Sequence, residues 1–273
     1  MPECISPFEK RHEITGKWLL LPCGKCAPCL KRRVSGWSYR LSKHEKEAQA
    51  SFFVTLTYDT QYVPITNNGF MSLCKTDLQK FFKRLRKLHP KDSNIKYYAV
   101  GEYGGKTNRP HYHIILFNAD IKLVEKAWKF GYIHNGQVSE ASIGYTLKYV
   151  SKAGKIPMHQ NDDRQKEFAL MSKRIGTNYL TPNMVQWHKA DLNNRMYCNL
   201  PDGKKIAMPR YYKDKIYTDQ ERKQIGEHIQ QKLIQKNDEN HKKYGCDCER
   251  YLVSVKQNVI NTSAGLKRIQ DKL

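Results

Sequence analysis

Along the first 155 positions the apolar residues keep one of two periods, and the change of period marks the elements. Between Pro28 and about Ala48, Leu30, Val34, Trp37 and Leu41 recur at helical spacing. Lys31, Arg32, Arg33, Arg40 and Lys43 fill the other faces, so the segment predicts a basic amphipathic helix. The run SFFVTLTYD, Ser51 to Asp59, is short, aromatic and β-branched, as a central strand requires. A second helix follows, with Thr76 or Asp77 as its cap, Leu78, Phe81, Leu85 and Leu88 as its apolar stripe and Pro90 as its stop. Asn94 to Val100 and His111 to Phe117 predict two strands joined as a hairpin by a glycine-rich turn. Glu125 to Phe130 predicts a short helix and Glu140 to Ala153 a longer one closed by Gly154.

Past residue 156 the pattern loosens. NDDRQKEF reads as a linker and Arg174 to Arg210 as irregular. Thr218 with Glu221 then forms a capping box that opens a long polar helix with Ile225, Ile229 and Leu233 on one side. The expected division is residues 1–155 and a partly helical accessory region, 156–273.

Charge narrows the partner. Lys and Arg number 48 against 26 Asp and Glu, a formal net charge of +22 spread along most of the chain. A polyanion is the matching partner, and 17 tyrosines suit base stacking better than a lipid surface. No apolar run approaches the roughly 20 residues of a membrane span, and no basic-then-apolar leader opens the sequence. The expectation is a soluble intracellular protein without a membrane partner. In that setting the bunched CGKCAPC (Cys23, Cys26, Cys29) reads as metal ligation before disulfides. Three thiolates suit a structural Zn²⁺, with free thiols as the alternative; Cys4, His12, Cys74, Cys246 and Cys248 are all candidates for a fourth ligand.

The stretch VGEYGGKTNRPHYHIILF, Val100 to Phe117, contains two candidate sites. A phosphate loop needs G-x-x-x-x-G-K-[ST] followed by a helix. Here Val100 stands where glycine belongs and an alternating strand follows, so the glycines are assigned to the turn, where positive φ is needed. In HYH, by contrast, side chains two apart on a strand share a face, so His111 and His113 present two imidazoles together and Tyr112 faces the other way. If the hairpin is symmetric about Lys106 and Thr107, Glu102 lies opposite His111. Its oxygen would make the site acceptable to Mg²⁺ or Mn²⁺.

In SIGYTLKYVSKAG, Tyr145, Lys148, Tyr149 and Lys152 fall on one helix face, with Ile143, Leu147 and Val150 on the opposite one. The apolar side suits packing on a sheet. The other offers two phenols among two ammonium groups, which would favour phenolate and hold a phosphate. Joined to a Lewis-acidic ion at the histidines, this face implies metal-assisted phosphoryl transfer from DNA or RNA to tyrosine. The alternative of another class is a zinc-containing nucleic-acid-binding protein without chemistry. It accounts for charge, cysteines and aromatics but not for the tyrosine-lysine face.

These segments resemble the HUH endonuclease superfamily of rolling-circle replication initiators. FVTLTYD is similar to its first motif, RPHYHIILF to its His-hydrophobic-His motif and YTLKYVSK to its tyrosine motif in the two-tyrosine form, in that order. PCGKCAPC, GEYG and MSKRIG (Met171 to Gly176) resemble the initiators of gokushovirus-type microviruses more than plasmid initiators, relaxases or transposases. The resemblance implies an α+β fold with a central antiparallel sheet, flanking helices and a less regular helical C-terminal region. It implies that Tyr149 or Tyr145 attacks origin DNA to give a 5′-phosphotyrosine link and a free 3′-OH, with no nucleotide required. It further implies action in the cytoplasm of an infected bacterial host, beside host helicase and polymerase.

Overall fold

A computed structural model describes residues 4–11, 16, 18–151, 156–245, 253, 257, 260 and 261. Two compact units are present, one on Arg40–Thr177 and one on Met1–Tyr39 with Asn178–Lys272.

The unit on Arg40–Thr177 is α+β. Its elements are the end of helix α1 (Ala27–Glu45), β3 (Ser51–Thr57), α2 (Lys75–Leu88), β4 (Lys96–Tyr103), β5 (Pro110–Phe117), α3 (Ile121–Ala127), β6 (Ile133–Gln137), α4 (Glu140–Ser151) and β7 (Phe168–Met171). Strands β1 (Phe8–Arg11) and β2 (Trp18–Leu21) precede them as a separate antiparallel pair. The five later strands form one antiparallel sheet in the order β6-β3-β5-β4-β7, with β5 at its centre.

Strand alternation sorts the side chains between the two faces. Val54, Leu56, Tyr112, Ile114 and Leu116 point one way and pack with Leu78, Phe81, Phe82 and Leu85 of α2 in a continuous core. Phe53, Thr55, His111, His113 and Phe117 point the other way. There the α1 ring of His44 meets Phe117 edge-on at 4.8 Å, and Arg40 donates two hydrogen bonds to the Ile175 carbonyl.

Several boundaries differ from the sequence pattern. Cys74, not Thr76 or Asp77, caps α2; Asp77 instead accepts a hydrogen bond from Tyr58, and the helix ends at Leu88 with His89 as C-cap. The hairpin turn takes its positive φ at Asn108 (50°) rather than at a glycine, closed by Gly104 donating to Arg109 O and Asn108 donating to Gly104 O. Glycine is required at Gly131, which enters β6 at φ 152°, because a Cβ there would strike the backbone of Thr57, Tyr58 and Asp59. The short helix begins and ends earlier than predicted, at Ile121 and Ala127. The edge strands β6 and β7 are too short to show a period, and β7 carries the sheet beyond residue 156.

The second unit is more regular than its sequence suggests. It contains α5 (Pro182–Lys189), the β8 (Tyr197–Asn199) and β9 (Lys205–Ala207) pair, α6 (Arg210–Ile216) and α7 (Asp219–Tyr244). Its core gathers Tyr39, Tyr179, Cys198, Met208, Tyr212 and Ile225. The capping box is present: the Thr218 amide donates to Glu221 Oε2 (2.7 Å) and the Glu221 amide to Thr218 Oγ1 (3.2 Å). Among the described residues no helix is long and apolar enough to cross a membrane.

Candidate active site

The hairpin register brings the first three groups together. Glu102 pairs with His111 and Val100 with His113 across β4 and β5, so the carboxylate and both imidazoles leave the same face. Glu102 Oε1 lies 2.6 Å from His111 Nε2 and 2.9 Å from His113 Nε2. Glu102 and His113 are buried and His111 is partly exposed, which opens the cluster to solvent on one side.

The chemistry of this donor set fits a cation. His111 Nδ1 must donate to the Arg109 carbonyl (3.1 Å), because a carbonyl only accepts. In the neutral ring, Nε2 then presents a lone pair to a carboxylate oxygen at 2.6 Å, a contact that only a proton or a metal ion between them makes favourable. An octahedral ion with ligands at about 2.1 Å sets neighbouring donors about 3 Å apart, close to the two separations found. Three protein ligands would leave the remaining positions for substrate and water.

Burial opposes ionisation of Glu102, but the hydrogen bonds and charges of His111 and His113 outweigh it and hold the carboxyl below its ordinary value. Burial pushes His113 down as well, against the pull of Glu102, so this ring stays neutral and able to ligate into mildly acidic solution. Thr55, opposite His113 in the β3–β5 ladder, places Oγ1 3.0 Å from His113 Nδ1 and fixes the ring's orientation. Phe53 stacks beside the same ring at 5.6 Å with an 8° interplanar angle. Neither residue stood out as a site residue in the sequence. The available signal was their alternation in FVTLT, which places positions 53 and 55 on the histidine face.

Helix α4 supplies the phenols. Tyr145 meets His113 edge-on at 5.0 Å, Tyr149 lies nearly parallel to it at 6.0 Å, and the two tyrosine rings are 5.7 Å apart. The tyrosine side of the helix therefore meets the sheet, although the sequence assigned that contact to the apolar side; Ile143 and Leu147 are buried too. Burial first, then the hydrogen bond to Tyr145 and the charge of Glu102, raise the Tyr149 phenol above its ordinary value. That direction is opposite to the cation-favoured phenolate suggested by the lysine spacing. Lys148 is partly exposed, and Lys152 lies outside the described residues.

The remaining candidates divide between core and a second cluster. Two aromatics of the SFFVTLTYD run, open to either DNA contact or core packing, belong to the core: Tyr58 is fully buried and Phe52 packs against it. Cys23, Cys26 and Cys29 are joined by Cys4, their sulfurs all within 4.8 Å of one another. His12, Cys246 and Cys248 lie outside the described residues, and Cys74 is engaged at the start of α2, where its amide donates to Tyr112 Oη.

Residues 51–154, which hold both the ligand cluster and the tyrosine helix, match the family described as Replication-associated protein ORF2/G2P. The chain is 28% identical over 214 residues to Replication-associated protein ORF2 of Spiroplasma virus 4, covering 70% of this chain and 66% of that one. It is 25% identical over 230 residues to Replication-associated protein ORF4 of Chlamydia phage 1, covering 74% and 55%. It is also 25% identical over 248 residues to Replication-associated protein VP4 of Bdellovibrio phage phiMH2K, covering 77% and 76%. The matched part thus spans about two thirds of the first relative and just over half of the second. No solved structure matches the chain. The segment that carries the Glu-His-His cluster and the paired tyrosines is thus similar to the Replication-associated protein ORF2/G2P family, and the chain as a whole is similar to replication-associated proteins of microviruses.

Proposed function

We propose that this chain nicks and rejoins one strand of DNA at a replication origin. In this reading Tyr149 and Tyr145 are the nucleophiles, and Glu102, His111 and His113 are the ligands of a catalytic Mg²⁺ or Mn²⁺. The observation that carries it is that two phenols and a three-donor cluster meet on one imidazole, His113.

The phenol oxygen of one tyrosine attacks a backbone phosphorus as the bond to the 3′ oxygen breaks. The 5′ phosphate becomes esterified to tyrosine, the phenol proton passes to water, and the leaving 3′ oxygen takes a proton from water to give a free 3′-OH. One phosphodiester replaces another, so the energy of the bond is kept and no nucleotide cofactor is needed. When bound, the divalent ion supplies Lewis-acid polarisation of the phosphate and favours phenolate over phenol. The second phenol, on the same helix face, can cleave a regenerated origin while the first holds its strand, and the released 3′-OH then closes the circle. Lys148, with Lys152 by its spacing, would offset phosphate charge, and the +22 balance of the chain attracts the single strand.

The test is covalent chemistry, because binding alone would not separate an enzyme from a passive binder. Labelled circular single-stranded DNA of the chain's own replicon, incubated with Mn²⁺, should yield a protein–DNA adduct on a denaturing gel, and chelator should abolish it. Intact DNA under every metal, with binding retained, would refute the nicking reading and leave a DNA-binding protein.

A further inference from the structure

Four cysteines from two separate segments converge outside the candidate active site. Cys4 precedes β1; Cys23 and Cys26 lie in the loop after β2, and Cys29 sits in the first turn of α1. The Cys4 and Cys26 sulfurs are 3.8 Å apart, nearly twice a disulfide bond. That spacing equals the edge of a sulfur tetrahedron around zinc at about 2.3 Å, which is roughly 3.8 Å. Backbone amides point at the sulfurs: Lys25 N and Cys26 N donate to Cys23 Sγ (3.4 and 3.3 Å), and Cys23 N donates to Cys4 Sγ (3.2 Å). Such donors favour thiolates over thiols and orient them around a centre.

We infer that Cys4, Cys23, Cys26 and Cys29 bind one Zn²⁺ as a closed tetrathiolate site. Sulfur alone as donor, with all four atoms within 4.8 Å of one another, selects a soft or borderline ion over Mg²⁺ or Mn²⁺. Four protein ligands leave no position for substrate, so the ion is structural. Binding releases the four thiol protons to water and leaves two net negative charges, beside Lys25, Lys31, Arg32 and Arg33 in sequence. Cys4 is the decisive ligand. Through it the ion fastens the segment that continues into β1 to the start of α1, a clasp that the Cys-x2-Cys-x2-Cys spacing alone does not reveal.

The full chain, purified without added metal and passed over a weak chelator, should retain about one zinc by elemental analysis. Exchange for Co²⁺ should give the intense visible bands and near-ultraviolet charge transfer of a tetrahedral tetrathiolate. A His111→Ala/His113→Ala variant should keep both signals, whereas Cys4→Ser should lose most of the zinc and weaken the thiolate band. Should Cys4→Ser fail to fold, titrating native protein with a thiol-modifying reagent gives an independent reading: four thiols consumed per zinc released. Full zinc in folded Cys4→Ser, zinc lost with the histidines, iron in place of zinc, or cysteines that resist alkylation until reduced would each overturn the proposal.

Discussion

Two pairs of tyrosines lie on opposite faces of the same sheet, and their surroundings set them apart. Tyr58 and Tyr112 are fully buried with hydroxyls 2.8 Å apart; Tyr58 donates to Asp77 (3.0 Å), and Tyr112 accepts from the Cys74 amide (2.9 Å). Every polar atom there has a partner and burial raises both phenols, so the pair is inert mortar between sheet and α2. Tyr145 and Tyr149 are only partly buried, on one helix face, with rings turned to His113. Residue type is shared; under the proposed function, full burial with hydroxyls tied into the core would make the first pair structural, and partial burial beside His113 would leave the second open to substrate.

The sharpest way to break this contrast is to remove hydroxyls on each side in turn. Tyr145→Phe/Tyr149→Phe should abolish adduct formation, a loss of at least about 1000-fold, with circular dichroism unchanged and each single variant retaining activity. Next come the proposed metal ligands. His113→Ala or Glu102→Gln should lower metal-dependent nicking by more than the roughly 10–100-fold that an outer partner commands, as read from Mn²⁺ titrations of activity. Thr55→Val should fall within that range and be largely rescued by excess Mn²⁺; an unchanged titration would show that Thr55 does not orient His113. On the opposite face, Tyr112→Phe should leave nicking intact and cost about 1 kcal/mol in denaturant unfolding, because it removes the buried Tyr58 hydroxyl's partner and the bond to the half-buried Cys74 amide.

The smallest effect is in pH. Both Glu102 and His113 have depressed folded values, so the unfolded chain binds more protons and acid must destabilise the metal-free fold. The stabilisation is complete above pH 6.5 for His113 and above 4.5 for Glu102, the ordinary values, and declines as pH falls through the lower folded ones. Melting curves in chelator should show this decline, and Glu102→Gln should remove the more acidic step.

The Glu-His-His face was legible because a strand of period two and a short hairpin leave few registers: His111 and His113 share a face, and symmetry about Lys106 and Thr107 places Glu102 opposite His111, the pairing found. Helix spacing likewise put Tyr145 and Tyr149 together. Which side of α4 turns to the sheet was not legible, because Tyr and Leu bury comparably and only tertiary packing chooses between them. Cys4 stood among five candidates for a fourth ligand and could not be singled out, for a related reason. It is 19 residues from Cys23, and the joining of two distant segments leaves no periodic mark. The edge strands β6 and β7 are four or five residues long and gain their stability from a neighbour rather than from their own composition.

Tyr112 stands between the two histidines in sequence and points away from them into the core, where its hydroxyl is tied to Cys74. A slip of one residue along β5 would bury two imidazoles in an apolar layer and expel a fully bonded phenol toward solvent. The central residue of His-Tyr-His thus works as a key that admits one alignment only. Insertions in the Gly104–Arg109 turn should be tolerated in any length, while a single insertion within Pro110–Phe117 should destroy the site and the core together.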